Sequence, residues 1–188
     1  MLLSILEPLV INEENAKRAT ENGVIQLIGL VLVRSSPFFT GVGYSNLSQS
    51  KQMIKLAVRS LVSVIRLKEA CALFMKDIIL FDALAEILEQ SPEEEIVANS
   101  LKVIRIIFKD TKYMLYVSSQ SPATVNRVIY ILLMHGANSV IVKEVFAIVT
   151  QYCSLSQQEM DDSRYELHRD ITDESVRILE KSGQLAQL

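Results

Sequence analysis

Residues 80 to 108, LFDALAEILEQSPEEEIVANSLKVIRIIF, return about 44 residues further along the chain as the same mask of apolar positions. Phe81, Leu84, Ile87 and Leu88 fall on Val125, Val128, Ile131 and Leu132. Ile96, Val97, Leu101 and Ile104 fall on Val140, Ile141, Val145 and Ile148. The polar letters change while the mask holds, so what is kept is a packing pattern. Spacings of three and four place each set on one stripe of a helix, with Glu86, Glu89, Lys102 and Arg105 on the other side.

The stripes are punctuated where helices should end. QSPEEE joins a Ser-Pro break to an acidic first turn, which suits a helix N-terminus; SQSPATV does the same around Pro122, and HGANS separates two helices at Gly136. Upstream, SLVSVIRL (60 to 67) matches SLKVIRII, and GVIQLIGLVL (23 to 32) matches the first helix of the later units through Ile25, Ile28, Val31 and Leu32. The ends echo one another: INEENAKRATENGVIQLI and ITDESVRILEKSGQLAQL align Ile11 with Ile171, Glu14 with Glu174 and Gly23 with Gly183. The units read as 1–22 (partial), 23–77 with an insertion at 34–50, 78–119, 120–170 with an insertion at 155–170, and 171–188 (partial). No linker or sheet-like alternation interrupts them, so the expectation is one all-α domain.

With 49% hydrophobic residues, 6 Gly and 4 Pro in 188, the chain has the composition of a folded, helix-rich protein. A formal net charge of -3 without a basic tract argues against nucleic acid. Cys71 and Cys153 each lie in an apolar helical pattern and read as buried, reduced thiols. MLLSILEP carries no positive leader and is broken at Glu7 and Pro8, and no apolar run is long enough to span a membrane. A cytoplasmic protein is the expectation.

The units resemble armadillo repeats, a family of helical solenoids closely related to HEAT repeats. The resemblance rests on short acidic helices ending at glycine (NEENAKRATENG, TDESVRILEKSG), on the apolar helices VIQLIGLVL and ALAEIL, and on SPEEEIVANSLKVIRII, which is similar to the family's turn and long third helix. Ile79 and Ala123 stand near the glycine position in the central units. The resemblance implies a right-handed α-solenoid of about three repeats plus partial terminal ones, its third helices lining a groove that binds an extended peptide or partner surface. The family's peptide ladder of tryptophan and asparagine is not matched: Val62, Lys102 and Phe146 stand near the first place, Arg66, Ile106 and Thr150 near the second, and the chain has 0 Trp. Nuclear-signal binding of that kind is therefore rejected.

No nucleotide loop, nucleophile elbow or metal-ligand spacing is present, so no enzyme, cofactor or metal is expected. Glu93 to Glu95 read as a solvated helix start and His135 as a helix C-terminal residue. The third helices carry a basic polar face: Arg59 and Arg66, then Lys102, Arg105 and Lys109, then Lys143. Either these line one groove for an acidic peptide or helix, or they form a solvated face balanced by Glu144 and the acidic turns. Phe38, Phe39 and Tyr44 sit in a Pro/Gly/Ser insertion, as partner anchors or folded back on the repeat edge.

The reading is a non-enzymatic interaction scaffold in a cytoplasmic, cytoskeletal or ciliary assembly; the alternative is a regulator of a signalling enzyme, such as a GTPase-binding solenoid. Leu185 and Leu188 match Ile25 and Ile28 but end the chain on an open apolar face. The expectation is that it continues into a longer protein or is capped by a partner.

Overall fold

The computed structural model describes residues 2–36 and 48–155, with Arg169, Asp170, Asp173, Val176, Arg177 and Glu180 described singly. Phe38, Phe39 and Tyr44, nearly all of the 155–170 insertion, and most of the terminal echo at 171–188 lie outside the described residues. Among those described there is helix and no strand. Ten helices are bounded: α1 Leu2–Leu9, α2 Glu13–Glu21, α3 Val24–Ser35, α4 Ser48–Val64, α5 Lys68–Met75, α6 Ile78–Gln90, α7 Glu94–Phe108, α8 Thr111–Gln120, α9 Ala123–His135 and α10 Ser139–Cys153. From α3 their lengths run 12, 17 and 8 residues, then 13, 15 and 10, then 13 and 15. A medium, a long and a short helix thus recur in register with the apolar mask.

Polar side chains cap the starts of α2, α6, α8 and α10, where the first N–H groups have no partner within the helix. The Asn12 side chain accepts from the amides of Glu14 and Asn15, Asp77 from Ile79, Asp110 from Lys112, and Asn138 from Val140 and Ile141. Gly23 closes α2 with φ 83°, the left-handed conformation that glycine adopts without a side-chain clash. Gly136 is right-handed at φ -60°, so the turn after α9 rests on the Asn138 cap rather than on a glycine conformation.

The apolar mask is buried at Phe81, Leu84, Ile87 and Leu88 and at their counterparts on α9. It fails at Val140, which is 49% exposed in the first turn of α10 where its counterpart Ile96 is buried. Cys71 is buried, but Cys153 ends α10 and is exposed, contrary to the sequence expectation. SLVSVIRL is not one helical run, because α4 stops at Val64 and Leu67 already caps α5.

The chain divides into two compact units, Met1–Ile107 and Phe108–Leu188. In the first, α4 packs on α1, α2 and α3, while α3 also packs on α5 and α6. Fully buried Ile28, Leu32, Ile54, Leu61, Phe81 and Leu84 form part of this core, and burial of each such side chain contributes about 1.5–3 kcal/mol. Helices α3 and α6 approach closely at Gly29, where a Cβ would stand 2.7 Å from Cδ2 of Leu80. The Ser36 hydroxyl at the end of α3 donates to the Glu86 carboxylate of α6. In the second unit α9 packs on α8 and α10, and the Phe108 and Tyr152 rings lie 6.5 Å apart. No described helix is long and apolar enough to cross a membrane.

Candidate interaction surface

Helix α4 is built from two stripes. Ile54, Ala57, Val58 and Leu61 turn inward and are buried, which leaves Lys51, Lys55 and Arg59, each one turn plus a fraction apart, on a common outer stripe. Three carboxylates meet it. Lys51 Nζ lies 3.8 Å from Glu93, Lys55 pairs with Glu95, and Arg59 pairs with Glu95 and, at 3.3 Å, with Glu7 of α1. These side chains range from about a quarter to about half exposed, so water screens each pair and its contribution is about 0.2–1 kcal/mol.

Along α7 the outer stripe continues from Glu95 through Asn99 to Lys102, whose Nζ lies 3.3 Å from Asn99 Oδ1. The structure therefore gives Arg59 a direct partner on the helix that carries Lys102 and Arg105. Both of those residues are half-buried. Arg66 is exposed but stands in the turn after α4, and Lys109 is exposed one residue past α7, so neither belongs to a third-helix face as expected. Lys109 and Lys143 fall in the second unit, where Lys143 is exposed on α10.

Sequence reasoning missed Lys51 and Lys55, although their spacing of four from each other and from Arg59 was a readable signal. It also took Glu93 to Glu95 as simply solvated, whereas Glu93 and Glu95 face the α4 cations. Glu144, offered as a surface counter-charge, is buried on α10.

Elsewhere in the second unit, burial pushes the Tyr152 hydroxyl above its ordinary pKa, and an interaction with the Ser118 hydroxyl partly counters this. Ser118 itself donates to the Met114 carbonyl at 2.9 Å. The outer side of α9 exposes Tyr130, Leu133 and Met134, the last at 77%. Among the described residues no three His, Cys, Asp or Glu side chains are grouped so as to hold a metal ion. The chain matches no family model, and no curated protein and no solved structure is significantly similar to it.

Proposed function

We propose that this chain is a non-enzymatic protein-interaction scaffold, an armadillo-type right-handed solenoid that takes an acidic peptide or helix along its third-helix face. The observation that carries this reading is the half-exposed surface of α4 and α7, where Lys51, Lys55 and Arg59 lie in successive turns of α4, are joined to α7 through Glu95, and Lys102 lies further along α7. The recurrence of medium, long and short helices supports the repeat architecture, since units of this kind bury their apolar stripes by stacking and expose a repeated face. Cations partly satisfied by carboxylates of their own chain suit exchange for carboxylates of a partner, because the two sets of contacts have the same chemistry.

The test is affinity capture of binding partners from the source cell with the native chain and with a folded Arg59→Glu, Lys102→Glu double variant. Loss of a partner that the native chain retains, with an unchanged circular dichroism spectrum, is the expected outcome. Equal capture by both removes the α4–α7 face as the binding surface.

A further inference from the structure

Of the two carboxylates on Arg59, one belongs to an element that cannot leave. Glu95 lies in the first turns of α7, a 15-residue helix whose neighbouring Ile96 and Val97 are buried. Glu7 is different. It sits on α1, 8 residues long with Pro8 in its last turn, and a helix shorter than about 12 residues is marginal unless packing holds it. Ile5 and Leu9 of α1 are about half exposed, while Leu6 and Glu7 are half-buried against the body of the unit. Val10, just beyond the helix, is fully buried and anchors the chain there.

We infer that α1 is an intramolecular competitor for the basic stripe of α4: Glu7 occupies Arg59 until an acidic segment of a partner displaces the helix. This rests on the reading that the α4–α7 face takes an acidic segment, and it adds a regulation of that face. The Glu7–Arg59 contact at 3.3 Å has the chemistry that such a partner would bring, on a site that a screened ion pair guards only weakly. None of the described side chains of α1, Ile5 to Leu9, is buried, and Val10 holds the chain just beyond the helix, so release of Glu7 needs only local opening.

The experiment uses the full chain and a fluorescein-labelled alanine-based helix with glutamates at i, i+4 and i+8, beside its glutamine counterpart. Glu7→Gln is expected to tighten binding of the glutamate probe about two- to fivefold, the size of one screened ion pair. Glu14→Gln, an equal charge change on α2 where Glu14 pairs with Arg18, is expected to leave it unchanged. Saturating probe is expected to speed amide hydrogen exchange of α1 in the native chain. If Arg59→Gln weakens the probe but Glu7→Gln does not tighten it and α1 exchange is unaltered, the competitor is overturned while the binding face stands. If neither the native chain nor Glu7→Gln prefers the glutamate probe to its glutamine counterpart, the face and the competitor both fall.

Discussion

The Gln151 side chain of α10 donates a 2.6 Å hydrogen bond to the carbonyl of Phe108, the last residue of α7. The final carbonyls of a helix have no partner within it, so this side chain from 43 residues away serves as a cap. Gln151→Ala is expected to cost about 0.5–1.5 kcal/mol in urea denaturation, with no change in helix content before the transition. A loss below the error of the midpoint would mean that water replaces the amide fully.

The close approach of α3 and α6 at Gly29 makes that site sensitive to size. The nearest atoms belong to the Leu80 side chain, which can yield a little, so Gly29→Ala sets a clash against the gain in helix propensity and is expected to be mildly destabilising. Gly29→Val has no such relief and is expected to cost about 1–3 kcal/mol, read as a fall in the thermal midpoint of the native chain.

Asn138 accepts from two amides of α10, at 3.0 and 3.3 Å. Asn138→Ala removes both and is expected to cost about 1 kcal/mol, whereas Asn138→Asp is expected to retain the cap and gain from the helix dipole. Amide hydrogen exchange of the first turn of α10 distinguishes the two variants.

Tyr152 gives a pH dependence of definite sign. Its folded pKa is raised from 10.0, so above that pH the unfolded chain releases the phenolic proton while the folded one still holds it. The stability that Tyr152 contributes is complete below pH 10 and declines as the pH rises towards the folded pKa. Tyr152→Phe is expected to flatten this part of the stability profile above pH 10, relative to the native chain. Parallel profiles for the two proteins would contradict it.

What the sequence made legible is what depends on neighbours three or four residues away. The stripe of Ile25, Ile28, Val31 and Leu32 is buried as its spacing requires, and Gly23 ends α2 where the echo of the two termini placed a glycine turn. Pairings across the fold were not legible. Glu7 and Arg59 lie 52 residues apart, and only packing of α1 on α4 brings them together. Periodicity also overran helix ends: Arg66 and Lys109 continue the spacing of the basic polar face but fall in turns, because Leu67 and Asp110 begin the next helices. Val140 follows the mask and is still exposed, although its counterpart Ile96, in the first turn of α7, is buried, so the mask alone does not fix burial at a helix start.

The carboxylates set against the α4 stripe also determine how the molecule looks from a distance. Three cations facing Glu7, Glu93 and Glu95 sum to nearly nothing beyond the screening length of about 8 Å at physiological salt. An acidic partner is therefore drawn little by the α4 stripe itself, and its encounter there is expected to run near the ordinary unsteered rate with a weak dependence on salt. Selectivity on this face then lies in lifetime after contact, in how long borrowed charges hold once the resident ones have been exchanged.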